Sequence, residues 1–204
     1  MLRKRILSAL LTLGVIISAL PAIPAAAADN GRAGKALSVT AALGLIHPTD
    51  SDLAGESELV KRSEFAAIAA RLLGAENQQQ AESGFADVPA EHWASGAVAE
   101  VRRKGLMQGD EDGFFRPDSE VTYAQVMKVL VYMLGYAPKA EYFGGWESGY
   151  IKTAADLGLA KGLSCAPGHA MTRAETALAV YNSLGVKLVY EGDLSDSDAD
   201  RKIL

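Results

Sequence analysis

The sequence predicts an all-α fold built from three helical-hairpin repeats, and three observations predict it. Segments that begin Lys61-Arg62-Ser63-Glu64, Thr122-Tyr123-Ala124-Gln125 and Thr172-Arg173-Ala174-Glu175 align without gaps, and each reaches a Leu-Gly pair, at Gly74, Gly135 and Gly185, after thirteen residues. Each carries one apolar stripe at helical spacing: Ala66, Ala69, Ala70, Leu73; Met127, Leu130, Val131, Leu134; Ala177, Val180, Tyr181, Leu184. Ahead of two of them a Trp leads a second stripe into a glycine twelve residues on, from Trp93 to Gly105 and from Trp146 to Gly158. A two-helix unit of this size cannot bury its own stripe. The three are therefore expected to pack as one body, with their stripes at a shared axis.

The chain opens with Arg3, Lys4 and Arg5, an apolar run from Ile6 to Leu20, Pro21 and Pro24, and the small residues Ala25 to Ala28. Residues 1–28 read as a secretory signal peptide. Its apolar core is short for a membrane span and no charge cluster follows it, so no membrane association is expected after its removal. Loss of its three cations takes the formal net charge from −5 to −8, which argues against nucleic acid as a partner. Cys165 is the single cysteine and cannot bridge internally. Burial over about 175 residues must stabilise the fold instead.

The first repeat, 33–74, keeps Leu43-Gly44-Leu45 but has Arg32 where the Trp stands elsewhere, so its leading helix is expected to be degenerate or short. Residues 75–84 are polar without an apolar period and read as a linker. In the second repeat, 85–135, the leading stripe is Trp93, Ala97, Val98, Val101, and Thr122 with Gln125 forms a capping box. The third repeat, 136–187, opens with a bridge from Tyr136 to Gly145 that contains Pro138, then repeats the stripe as Trp146, Tyr150, Ile151, Ala154 and the box as Thr172 with Glu175. Gly74, Gly135 and Gly185 suit left-handed C-caps. The loop between the paired helices spans seventeen residues in the first two repeats and fourteen in the third. Residues 188–204 form an acidic tail or the start of a linker; Asp196, Asp198 and Asp200 alternate as in calcium loops, yet Arg201 stands where the turn glycine belongs.

No motif asks for catalysis. His47, His92 and His169 lack metal-site spacing, Cys165 has no motif around it, and there is no G-x-S-x-G, S-x-x-K or P-loop. Asp110, Glu111 and Asp112-Gly113 read as a tight turn rather than a calcium loop, and Asp87 as part of a turn that bonds local amides. No catalytic residue, cofactor or metal is predicted.

The run Gly84-Phe85-Ala86-Asp87-Val88-Pro89, His92-Trp93-Ala94, Gly105-Leu106-Met107-Gln108-Gly109, Asp112-Gly113-Phe114-Phe115-Arg116-Pro117 and Val121-Thr122-Tyr123-Ala124-Gln125 resembles a near-complete S-layer homology module. Met171-Thr172-Arg173-Ala174-Glu175 resembles that family's Thr-Arg-Ala-Glu signature, and with two worn repeats in step the resemblance covers residues 33–187. It implies three modules with pseudo-threefold symmetry around a central three-helix bundle. It also implies a place on exported bacterial proteins, attached non-covalently to secondary cell-wall polysaccharide that often carries ketal-linked pyruvate. The ligand would lie in grooves between adjacent modules, met by the signature arginine, which falls at Arg62 and Arg173. Tyr123 takes that place in the second repeat and cannot pair with a carboxylate, so its groove is expected to bind only weakly or by stacking.

The residues themselves support the arginines independently. A side chain at the first position of a capped helix sits beside free amides and the positive dipole end, where anions are favoured, and an Arg fork matches a carboxylate with two parallel donors. Trp93 and Trp146 head apolar stripes, a position that suits core packing as well as a sugar platform. The expected function is anchoring to the cell wall, at the cell surface. The alternatives are a self-assembling surface-layer subunit and a wall-remodelling glycan hydrolase. Family members usually join such modules to cargo, so a chain without a cargo domain is expected to be a fragment or to have another chain as partner.

Overall fold

The structure, a computed structural model, describes residues 25–46, 53–75 and 81–189. The leader before Ala25, His47, the middle of the predicted linker and the acidic tail from Tyr190 lie outside the described residues. Among the described residues there are seven α-helices and no strand, as an all-α fold requires: α1 (Ala25–Ala42), α2 (Arg62–Leu72), α3 (Ser95–Arg103), α4 (Tyr123–Met133), α5 (Ala137–Tyr142), α6 (Ser148–Asp156) and α7 (Arg173–Ser183). A short 3-10 turn, Leu53–Ser57, precedes α2.

The three helices at the signature segments start where their caps place them. The Thr122 hydroxyl accepts from the Gln125 amide at 3.4 Å while the Gln125 side chain accepts from the Thr122 amide at 3.2 Å. At α7 the Glu175 carboxylate accepts from the Thr172 amide at 2.8 Å and its own amide donates to the Thr172 hydroxyl at 3.3 Å. At α2 only half the box exists, because Lys61 has no acceptor on its side chain: its amide donates to Glu64 at 2.8 Å. Gly74 and Gly135 take the left-handed conformation expected of them, with φ of 74° and 85°. Gly185 is not among the positive-φ glycines; its helix ends instead in hydrogen bonds from the Leu184 amide to the carbonyls of Val180 and Tyr181.

Two further expectations fail for identifiable reasons. The first repeat's leading helix is neither short nor degenerate: α1 runs for 18 residues, in a stretch rich in alanine, the best intrinsic helix former. Arg32, in the place of the missing Trp, reaches α7 and donates to the Asn182 side chain at 3.0 Å. The Tyr136 to Gly145 bridge contains α5, which tolerates Pro138 because an amide in the first helical turn has no intrahelical acceptor.

The segments just before α2, α4 and α7 are tied to one another by backbone bonds in a closed ring. The Val60 amide donates to Met171 at 2.9 Å, the Met171 amide to Val121 at 3.0 Å, and the Val121 amide to Val60 at 2.8 Å. Isolated antiparallel bridges at Leu59 with Thr172, Lys61 with Glu120, and Thr122 with Ala170 accompany it. The helix caps run round the same three segments in the opposite sense, since the first amides of α2, α4 and α7 donate to the carbonyls of Ser119, His169 and Glu58, each at 2.8 Å. Orphan helix donors of one segment are thus satisfied by carbonyls of the next.

Leading helices pack across segments rather than within them: α1 lies on α7, α3 on α2, and α6 on α4. One continuous core results, joining Phe65, Ala66 and Ala69 of α2, Met127, Leu130 and Val131 of α4, and Ala177 and Val180 of α7 to Val98, Val101 and Ala154 from the leading helices. Full burial of a side chain such as Phe65 or Met127 contributes about 1.5–3 kcal/mol. The stripes end early in two helices, where Leu73 and Leu184 are exposed at 38% and 47%. No helix of the described residues is long and apolar enough to cross a membrane.

Candidate functional site

Where α2 meets the second repeat, the N1 position throws the Arg62 side chain across the seam. Its Nε donates to the Phe115 carbonyl at 2.9 Å and Nη2 to the Gln108 carbonyl at 3.1 Å, and the guanidinium lies 4.9 Å from the centre of the Phe115 ring. Neither bond uses Nη1. Burial lowers the Arg62 pKa, while the negative charges of Asp110 and Asp87 oppose that shift, and the group stays charged at any physiological pH.

This arginine borders a cleft of about 300 Å³ lined by Leu106 to Asp110, Gln125, Lys128, Val129 and Trp146. The cleft draws on α2, the loop after α3, α4 and the segment that leads into α6. Lys128 is half-buried, with Nζ 5.3 Å from the centre of the Trp146 ring and 5.9 Å from that of Tyr150. Two cations and an aromatic face, 55% exposed, therefore share one concavity.

The cleft wall is held rigidly from behind. Phe85 and Phe115 pack at 5.4 Å, and Asp87 accepts from the amides of Phe115 at 2.9 Å and Arg116 at 2.7 Å. Asp87 thus bonds amides 28 and 29 residues away, not the local ones its turn suggested. Asp110 to Gly113 form the predicted tight turn, closed by the Gly113 amide on Asp110 at 2.9 Å, and Arg116 pairs with Asp110 and Asp112. Gly109 is required by proximity, since a Cβ there would run into the Phe85 ring and stand 2.7 Å from the Phe114 carbonyl.

Of the five residues singled out from sequence, the structure brings two together, Arg62 and Trp146. Arg173 occupies the matching N1 position of α7, but its side chain is 12% exposed and its Nη1 lies 3.9 Å from Glu64. Tyr123 is 4% exposed, and burial raises its pKa; almost no ring face is available for stacking. Trp93 is 64% exposed and lies away from the cleft, against His92 at 5.9 Å between ring centres. Neither tryptophan packs in the core, because each precedes its helix and leaves the buried positions to Val98 and Val101 or Tyr150 and Ala154.

Sequence reasoning missed Lys128, although it is the one charged residue in α4 and stands three places after the capping Gln125. It also missed a second grouping. Cys165, His169 and Glu175 are spaced C-x3-H-x5-E and come together at the start of α7.

Comparison with known proteins places the chain in a family. Residues 84–127 match the family model of the S-layer homology domain. The chain is 34% identical over 139 residues to a cell surface protein of Thermoanaerobacter kivui, a match that covers 66% of this chain and 18% of that protein. It is 30% identical over 151 residues to the middle cell wall protein of Brevibacillus brevis, covering 72% and 14% of the two chains. A cellulosome-anchoring protein of Acetivibrio thermocellus is 30% identical over 142 residues, covering 61% and 32%. The chain therefore spans less than a third of the length of each of these relatives.

Proposed function

The chain belongs to the S-layer homology family, and from that premise we propose that it holds an exported protein at the bacterial cell wall by binding an acidic secondary cell-wall polysaccharide in the Arg62 cleft. The observation that carries this reading is the meeting of Arg62, Lys128 and the exposed face of Trp146 in one concavity. Its volume is at the lower end of ligand sites, which run from roughly 300 to 1,000 Å³, and suits a sugar unit rather than a folded partner.

The division of labour follows from chemistry. A sugar carboxylate, such as a ketal-linked pyruvate, meets Arg62, whose guanidinium is already oriented by two carbonyls and loses little freedom on binding. Lys128 adds a second positive charge, and Trp146 offers its face to the sugar ring. Mature-chain charge is negative, so capture depends on this local pair of cations rather than long-range steering. Arg173, turned toward Glu64, has the lesser share, and Trp93 and Tyr123 contribute least. The three repeats act as one pseudo-threefold anchor, with cargo supplied by a further domain or a partner chain, and no chemical step is assigned to the cleft.

Co-sedimentation with purified wall sacculi tests the proposal. Binding is expected for the wild-type chain, lost when the acidic polymer is stripped, and about ten- to a hundredfold weaker in Arg62→Ala, as a lost charge-assisted pair implies. Arg173→Ala should weaken it less. Undiminished binding by Arg62→Ala with Trp146→Ala would overturn the site, and undiminished binding to stripped sacculi would overturn the glycan. Ordered sheets formed without any glycan, or reducing ends released from sacculi, would favour the self-assembling or the hydrolytic alternative.

A further inference from the structure

Separate from the cleft, the loop between α6 and α7 and the first turn of α7 gather three different metal-ligand chemistries. Cys165 Sγ, His169 Nε2 and a Glu175 carboxylate oxygen all lie within 4.8 Å of one another. Sγ is 3.7 Å from Glu175 Oε1, and His169 Nε2 is 3.1 Å from Oε1 and 3.0 Å from Oε2. Thiolate, imidazole and carboxylate bound to one tetrahedral zinc at about 2.0–2.3 Å stand about 3.3–3.6 Å from each other, so the two Glu175 contacts are already close to that geometry, and Sγ and Nε2, within 4.8 Å, close by at most about 1.5 Å through side-chain rotation.

We propose that Cys165, His169 and Glu175 form a three-ligand site for a borderline-soft divalent cation of the Zn²⁺ class, with a fourth position open to water or an exogenous ligand.

The outer contacts are those such a site uses. Glu175 Oε2 accepts from the Thr172 amide at 2.8 Å and the Thr172 hydroxyl at 3.0 Å, which fixes the carboxylate and presents Oε1 to the other two groups. Cys165 is half-buried against the core while His169 remains exposed, so the site has an apolar floor and a solvent-facing door. Without an ion, burial first and then the Glu175 charge push the thiol up to about 11, and it is held as S–H. Metal binding replaces that S–H contact with a thiolate–metal bond and releases the proton to solvent. The thiolate and imidazole select a softer cation than calcium or magnesium, which take oxygen ligands.

The site also bears on the fold. The His169 and Pro167 carbonyls accept from the first two amides of α4, at 2.8 and 3.0 Å, so the ligand loop is itself part of the seam between α4 and α7. An ion held there braces that seam and raises the stability of the whole chain.

Co²⁺ titration of the full chain is the direct test, since zinc is spectroscopically silent. One equivalent should give a thiolate-to-cobalt charge-transfer band with the intense visible bands of four-coordinate Co²⁺, both removed by Zn²⁺, and Zn²⁺ should raise the melting midpoint until a chelator reverses it. Cys165→Ser should abolish the charge-transfer band. His169→Ala and Glu175→Gln should each weaken Co²⁺ by more than about tenfold, the loss that even an outer-shell group causes. Gln serves the same capping position in α4, so Glu175→Gln retains the helix start, and the exposed His169 can be removed without touching the core. No charge-transfer band in the wild-type chain overturns the proposal; so does a band with the wild-type midpoint in His169→Ala and Glu175→Gln, which would mark binding by the thiol alone.

Discussion

In the proposed site Arg62 serves two ends at once, for its Nε and Nη2 brace the Phe115 and Gln108 carbonyls while Nη1, used by neither bond, would meet the ligand. Lysine can keep the charge but not this fork. Arg62→Lys is therefore expected to lose most of the sacculus binding that Arg62→Ala loses, although net charge is unchanged; co-sedimentation equal to wild type would show that only charge matters there. Gly109→Ala is a sharper probe of the same wall, because the added methyl meets the Phe85 ring and the Phe114 carbonyl. Overpacking of this kind costs about 1–3 kcal/mol, so a lowered denaturation midpoint with reduced glycan binding is expected. At Glu175, burial pushes the carboxyl pKa up, but bonds from the Thr172 amide, His169 and the Thr172 hydroxyl outweigh it and hold the pKa below the usual Glu range. A depressed folded pKa stabilises above the unfolded value, about 4.3, and that stability disappears as pH falls through the folded pKa. In urea titrations without added metal, wild type should exceed Glu175→Gln near neutral pH and the gap should close in acid; a gap unchanged across that range would refute the linkage.

At the scale of the helix, the three signature segments differ in one cap. Thr122 and Thr172 complete their boxes, whereas Lys61 supplies only its amide to Glu64. Lys61→Thr installs the missing acceptor and removes an exposed ion pair with Asp118, a contact worth little. A gain of up to about 1 kcal/mol is expected, and Thr122→Ala should cost about as much; denaturant midpoints measure both. These helix starts were legible because a cap and its partner lie three residues apart in sequence. The failures lay where local pattern is silent. Nothing between Tyr136 and Gly145 marks α5 apart from the position of Pro138, and Asp87 finds its amides in a distant loop. The cleft was half legible for the same reason: Arg62 belongs to a repeated signature, but Lys128 breaks no pattern until α4 and the Trp146 segment are brought together.

For the whole molecule, the repeat in sequence is not the unit of packing. Helix α3 lies on α2 and α6 on α4, so each leading helix covers the second helix of the segment before it, and α1 closes the series on α7. The ring through Val60, Met171 and Val121 joins the same three segments by amides that no single one can satisfy alone. Excising residues 85–135 would leave α3 without α2, α4 without α6, and Val121 without either ring partner. Helices of 9 and 11 residues are too short to persist unaided in water, where isolated helices below about 12–15 residues are marginal. The excised second repeat is therefore expected to show little helical circular dichroism and no cooperative melt, although it contains nearly all of the matched family segment. The intact chain should unfold in one transition, coincident by circular dichroism and by Trp fluorescence, because its helices share one core. Cooperative folding of the 85–135 fragment, or two separated transitions in the intact chain, would show that the ring and the crossed helices contribute less than the contacts within each repeat.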